Sequence, residues 1–354
     1  MKAKEGEYGF GDLIMSRRKI KAKFLNQIDK VIDWKPVRAI IEEAYTKGKT
    51  GIGRPCYDSI ALFKIELLRT WYGLSDGEVE EQVNDRLSFT RFVGISMDSV
   101  CPDSTTICRF RNMLSEANAY ERLLDEINRQ LEEKGVIVKK GAIVDASVTE
   151  SPRRPRGKKE YVVVEDRHEE EGAAEAEEAF LKEKEKPNVD KEARWVKKAG
   201  KLRFGYKRHT VTTTEGLILA EETTAANEND IKHMGSIIEK AHLPAGTPVL
   251  ADKGYDSAEN RKMLSDHKLK SRIMHRAKRS RPLSERESKV NIAISKVRYC
   301  IERTFGSIRR WFSGGIARYV GLRKTHAQHI MEAISYNLYR TPGLIVSKGL
   351  IWEG

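Results

Sequence analysis

Cysteine is scarce in this sequence and never paired. Cys56, Cys101, Cys108 and Cys300 show no CxxC spacing, which argues against a structural zinc site and leaves four thiols in a reducing compartment as the plain reading. Long apolar runs are missing too. No stretch approaches the roughly 20 consecutive apolar residues that a membrane span requires. The opening Met-Lys-Ala-Lys-Glu-Gly-Glu lacks the apolar centre of a secretory signal. The expectation is a cytoplasmic protein with no membrane partner. Acid is outnumbered by base, 52 Asp and Glu against 65 Lys and Arg, for a formal net charge of +13. Clustered cations neutralise phosphates and release condensed counterions, so this balance points to a polyanionic partner without choosing one. What the chain does have is 39% hydrophobic residues over 354 positions, enough for two domains or for one with insertions.

The first part reads as helices. Residues 1–52 form an N-terminal segment, and from 53 to 135 apolar positions recur at helical spacing between breakers. Tyr57 to Trp71 carries Ile60, Leu62, Phe63, Ile65, Leu67 and Leu68, with Gly73 standing where such a helix would stop. Ser75 or Asp76 can cap a second helix running through Val79, Val83 and Leu87. Pro102 and Asp103 start a third, Ser104 to Leu114, expected to expose Arg109 and Arg111, and a fourth runs from about Asn118 to Lys134. Short helices joined by tight turns, the third carrying arginines, suit a helix-turn-helix-like DNA-binding domain. A helical bundle that merely packs against the rest fits equally well.

From Val136 the pattern changes to strands: Val136–Val138, Ala142–Val144, Tyr206–Thr213, Leu217–Glu222 and Pro248–Ala251. A helix from Asp230 to His242, capped by Asp230, precedes the last of these. A helix, a short strand (Ser271–Met274) and a final helix through Glu302 follow. The succession is that of a mixed α/β fold with an RNase H-like catalytic core over 136–345, leaving 346–354 as a C-terminal tail. A charged insertion, 151–200, follows the first core strand and holds 13 acidic and 13 basic residues. Such a stretch cannot bury a core of its own. It reads as disordered or loosely helical, with a solvated helix from about 169 to 186. Its basic start, Arg153, Arg154, Arg156, Lys158 and Lys159, lies close to whatever Asp145 does.

Three acids carry the chemistry. Asp145 ends the apolar run Ala-Ile-Val, and Asp252 ends Pro-Val-Leu-Ala, with Gly254 permitting a sharp turn just after. Glu302 lies in an arginine-rich helix. Taken singly, each has a plain alternative: a strand-end cap, a turn, a surface ion pair. Together, two strand-end acids and one helix acid can hold Mg²⁺, which prefers hard carboxylate oxygens and keeps positions open for phosphate and water. Two such ions suit phosphodiester cleavage. Along the helix, Arg298, Glu302, Phe305 and Arg309 fall within about 60° of one direction at ~100° per residue, with Ile301, Ile308 and Phe312 on another face. Arg298, Arg309 and Arg310 are therefore candidate phosphate contacts, and Gly306 would let a DNA backbone approach. Lys207 and Arg208 alternate on a strand, so only one of them can face the site. His209 reads as a structural histidine. The basic run from Lys268 to Lys289 is a further candidate DNA contact.

Five ordered blocks give these residues a context: Ile143-Val144-Asp145, Phe204-Gly205-Tyr206-Lys207-Arg208-His209, Ala226-Asn227-Glu228-Asn229-Asp230, Ala251-Asp252-Lys253-Gly254-Tyr255 and Glu302-Arg303-Thr304-Phe305-Gly306-Ser307-Ile308-Arg309. In this order they resemble an IS5-family DDE transposase, a likeness that extends from about Gly53 to Tyr339. The resemblance implies a DNA transposase with Asp145, Asp252 and Glu302 as catalytic, metal-binding triad. It also implies Mg²⁺ (with Mn²⁺ as a substitute, two ions with substrate) and no organic cofactor. The expected partners are double-stranded DNA, as terminal inverted repeats and as target, and a second copy of the chain in a homodimer or larger assembly. The expected setting is a prokaryotic cytoplasm, with nucleoid association when bound to DNA. The wider group's signature of Tyr, Arg, Glu and a basic residue keeps Arg298, Glu302 and Arg309 in spacing, but Ser295 stands in the tyrosine's place. A nuclease or resolvase without strand transfer, and a catalytically inactive DNA-binding regulator, are the alternatives.

Overall fold

Helix-forming sequence occupies the first third of the chain and strand-forming sequence the middle, and the two pack into one mixed α/β arrangement. The structure, a computed structural model, describes residues 23–45, 56–96, 99–157, 161–165, 179–183, 188–198, 200–277 and 281–350, with backbone alone for 161–165 and 179–183. Helices α1 (Lys23–Val31) and α2 (Trp34–Ala44) precede α3 (Ser59–Tyr72), α4 (Asp76–Asp85), α5 (Leu87–Val93), α6 (Ser104–Glu116) and α7 (Ala119–Glu133). Their ends follow local chemistry. Asp58 accepts from the Ala61 N–H, Ser75 and Glu78 form a reciprocal capping box, Asp103 accepts from the Thr106 N–H, and Gly73 ends α3 at φ +69°.

Two expectations fail here. The single second helix through Leu87 is broken at Arg86, whose extended backbone separates α4 from α5, while the Thr90 hydroxyl donates to the Val83 carbonyl at 2.6 Å. The exposure of Arg111 is also corrected. α3 is buried on all sides from Ser59 to Trp71, so the polar side chains it carries there are interior ones. Glu66, fully buried on α3, requires a buried cation, and Arg111 supplies it at 2.9 Å while also clasping Asp76 at 2.6 Å.

The sheet comprises β1 (Ala142–Glu150), β4 (Arg194–Lys198), β5 (Lys201–Thr213), β6 (Ile218–Ala225), β7 (Pro248–Ala251) and β8 (Lys270–Ile273), in the order β4-β5-β1-β7-β8 with β6 also on β5. β1 runs antiparallel to β5 and parallel to β7, which runs parallel to β8. Between β1 and β4, β2 (Tyr161–Glu165) and β3 (Ala179–Glu183) pair as a separate antiparallel ribbon. The helix expected over 169–186 is therefore replaced by a strand where the chain is described, and 169–178, 184–186, Lys158 and Lys159 lie outside the described residues. Val136 and Ile137 are buried in a loop rather than a strand. Asp230–His233 is a 3-10 turn capped by Asn229, not Asp230, leading into α8 (Met234–Lys240). α9 (Ala258–Asp266) precedes β8, and α10 (Glu285–Phe312) and α11 (Leu322–Lys348) complete the chain.

The two faces of the sheet are covered by different elements. Ala142, Val144, Val249 and Ala251 join the large core that includes α1 to α7, α8 and α11. Ile143 and Leu250 point the other way, against Ile294, Ile301 and Phe305 of α10. Alternation along β1 puts Asp145 and Ser147 on the face of Ile143 under α10, and further along the same face Thr149 meets His329 of α11 at 2.9 Å.

Candidate active site

Pairing of β1 with β7 ends at Val144 opposite Ala251, so Asp145 and Asp252 come next, side by side at an interstrand spacing of roughly 4.8 Å. The expectation that Asp145 terminates its strand is corrected: β1 continues to Glu150, held by β5, whereas β7 stops. At Asp252 the chain turns sharply. Its Oδ1 accepts the Gly254 N–H at 2.7 Å and caps the turn Lys253–Tyr255.

α10 reaches this pair from the sheet face that carries Ile143. Its start is fixed by a capping box between Ser284 and Glu287, and Ile301 and Phe305 set its height on the sheet. Phe305, grouped by helical angle with the candidate DNA contacts, is instead part of this core. One turn apart on the helix, Arg298 and Glu302 form an ion pair at 3.1 Å, and the same guanidinium lies 3.2 Å from Asp145 Oδ2. Arg298 therefore ties Glu302 to Asp145. Among the described residues no three acidic, His or Cys side chains form a ready metal cluster, and a cationic side chain lies between Asp145 and Glu302.

Burial pushes the Asp145 carboxyl up to about 6, against the pull of Arg298, the Ala146 N–H and Lys198, and with a further push from Asp252. A buried carboxylate with a second acid beside it calls for positive charge. The donors are hard oxygens, and a cation already lies among them, so the residues fit a divalent metal.

The other candidates divide. Arg309 is on the site side, donating to the Ser147 hydroxyl at 2.5 Å, and Arg310 is exposed on the same helix. Arg310 shares a shallow groove with Tyr299, Glu302, Arg303, Gly306 and Trp311, and a side chain at Gly306 would meet open space. Arg109 is exposed on α6. Lys207 pairs with Asp230 at 2.8 Å. Arg208 is corrected. It lies opposite Ser147 in the β1–β5 register but is buried under α11, where Glu221 and Glu332 hold it at 2.7 Å each, out of reach of a phosphate. His209 is buried and bonded to Thr224 at 2.9 Å, as a structural histidine would be.

Sequence reasoning missed Lys198. Its ammonium donates to the Ala146 carbonyl at 2.9 Å, next to Asp145. The signal was the hairpin pattern Arg-Trp-Val-Lys-Lys-Ala-Gly-Lys-Leu-Arg-Phe, with Gly200 at its turn, hidden in an insertion judged by total charge.

An acidic pair where β1 and β7 part, joined through arginine to a helix acid, is an arrangement suited to phosphodiester chemistry, and comparison with known proteins gives the class. The family described as "Transposase DDE domain" matches residues 137–338, and "Transposase domain (DUF772)" matches residues 14–113. A transposase for insertion sequence element IS1106 from Neisseria meningitidis serogroup B is 42% identical over 234 residues, 66% of this chain and 76% of the relative. The chain belongs to the DDE transposases of insertion sequences, and it is a DNA transposase. Membership of this family implies use of a divalent metal. Among solved structures, a piggyBac transposase synaptic complex with hairpin DNA is similar at TM-score 0.40 and 10% identity, covering 94% of this chain and 76% of that one. The Mos1 strand transfer complex gives 0.20 and 12%, covering 94% and 98%. Likeness at that level carries no detail of fold or site. No helix among the described residues is long and apolar enough to cross a membrane.

Proposed function

We propose that this chain is an IS5-type transposase. It binds the terminal inverted repeats of its element, cleaves at the ends and joins the 3′ hydroxyls to target DNA. The observation that carries this reading is the placement of Asp145 beside Asp252 where the parallel pairing of β1 with β7 ends, with Glu302 tied to Asp145 through Arg298. On this reading residues 136–345 form an RNase H-like core and residues 53–135 the DNA-binding region. Asp145, Asp252 and Glu302 would hold Mg²⁺, or Mn²⁺ in its place. A divalent metal held by these acids would supply Lewis-acid polarisation of the phosphodiester and a lowered pKa for the attacking water or hydroxyl, with two ions as the expected complement.

The chain's own groups do the rest. Arg298, poised between two acids, and Arg309 beside Ser147 are placed to take phosphate oxygens, with Arg310 following the outer face of α10 and Arg109 the outer face of α6. The buried setting of Asp145 keeps water away from one side of the reacting linkage. Two element ends must be processed together, so the active species is a dimer or larger assembly.

The test is a strand-transfer assay on a labelled end fragment with wild type and Asp252→Asn. Metal-dependent joining in wild type and none in the variant supports the reading. Hydrolysis without joining would instead identify a nuclease of the same core.

A further inference from the structure

We propose that Lys198, on the hairpin formed by β4 and β5, is a phosphate-binding residue of the catalytic site and contacts the DNA strand at the scissile linkage. The proposal rests on the transposase reading above. Its starting point is a mismatch between register and contact. Lys198 pairs opposite Lys201, whereas Ala146 pairs opposite His209, eight residues further along β5. In a straight strand these levels lie roughly 26 Å apart, at ~3.3 Å per residue. Yet the Lys198 ammonium is 2.9 Å from the Ala146 carbonyl. The hairpin is therefore folded back toward the middle of β1.

The fold-back is built into the sequence. At Gly205 a Cβ would fall 2.1 Å from the Thr149 carbonyl oxygen, so only glycine lets β5 pass this close to β1. The base of the hairpin is pinned on both sides of that point. Phe204 and Tyr206 are buried with Ala193 and Ala317, the Tyr206 hydroxyl donates to Asp190 at 2.6 Å, and the Phe204 ring packs against Trp195. Lys198 is thus delivered by an anchored element.

The chemistry at the tip suits an anion. An ammonium has three donors. One meets the Ala146 carbonyl, and the side chain stays exposed to solvent. Its charge acts on Asp145 from the hairpin while that of Arg298 acts from α10. Arg194, Lys197 and Lys201 are exposed on the same hairpin, so its approach is cationic throughout. β7 ends at Ala251, which leaves β1 beyond Val144 without that neighbour, and a DNA backbone laid there meets Lys198 and the acids together.

A lysine that merely tethers the hairpin to β1 would show the same contact, and a double-mutant cycle separates the two roles. Full-length wild type, Lys198→Ala and Lys198→Arg are titrated with duplex end fragments, native or carrying one neutral methylphosphonate moved along the terminal linkages. With a phosphate contact, neutralising the scissile linkage weakens wild type roughly tenfold, weakens Lys198→Ala hardly at all, and leaves Lys198→Arg close to wild type. Equal losses for wild type and Lys198→Ala at every linkage would overturn the proposal. Asp145→Asn is assayed for cleavage in parallel. If it still cuts, the triad reading fails, whatever the cycle shows for Lys198.

Discussion

Asp145, Asp252 and Glu302 differ in surroundings although one role is proposed for all three. Asp145 is mostly enclosed and paired to Arg298, Asp252 caps a turn, and Glu302 is well exposed. Conversion of each to its amide should lower single-turnover cleavage by at least about 100-fold, with melting temperatures close to wild type. A variant that keeps its rate would remove that acid from the triad. Arg208 makes the opposite case. Its guanidinium neutralises two fully buried acids, so Arg208→Met should cost about 3–5 kcal/mol in denaturant unfolding and leave the DNA affinity of the folded protein unchanged. Unchanged stability with weakened DNA binding would contradict the buried role. In sequence, Lys207 and Arg208 were legible as an alternating pair. Which of them turned inward was not, because Glu332 lies 124 residues away.

At the level of elements, local signals carried far. Caps at Asp58, Ser75 and Asp103, the glycine stop after α3 and the apolar run of β7 all follow from near neighbours. The misread elements have two causes: Val136 and Ile137 are apolar because tertiary packing buries them in a loop, whereas β4 forms a tight hairpin with β5 whose local signal was masked by the charge of the insertion. The charge-rich insertion looked helical since Glu and Lys spacing is a local property, whereas the pairing of β2 with β3 spans residues far apart in the chain. The bend in β5 gives a direct check. Gly205→Ala should destabilise the protein by about 1–3 kcal/mol, measured by thermal or denaturant unfolding, and release the Lys198 contact. A variant as stable as wild type would show that β5 need not pass so close to β1.

The molecule buries polar groups on both faces of β5 and β6: His209 beside Thr224 on one, His329 beside Thr223 and Arg208 on the other. His209 is held down to about 4 by burial, and burial with the nearby Arg208 holds His329 well below its usual value. A histidine whose folded value is depressed stabilises the fold above its unfolded value of about 6.5, and that stability is lost as pH falls toward the folded value. Glu121, pulled down to about 2 by His326 and Lys240, works in the same direction below about 4.5. Denaturation midpoints should therefore fall steadily from pH 6.5 to 4, and His209→Gln should flatten the upper part of that decline. A flat profile over this range would contradict the buried neutral histidines.

The three acids were readable before the fold, since each sits in a distinctive local run, and so were the strands that become β1, β5, β6 and β7. Their convergence was not, because it depends on β7 ending one residue before Asp252 and on α10 crossing the sheet at Ile143. The most direct test is cleavage and strand transfer on a labelled end of the element, with Mg²⁺ or with EDTA, for wild type and for Asp145→Ala, Asp252→Ala and Glu302→Ala. The account predicts joining that requires metal and disappears in all three variants. Joining that persists in any of them, or a wild type that binds the end and never cuts it, would contradict it.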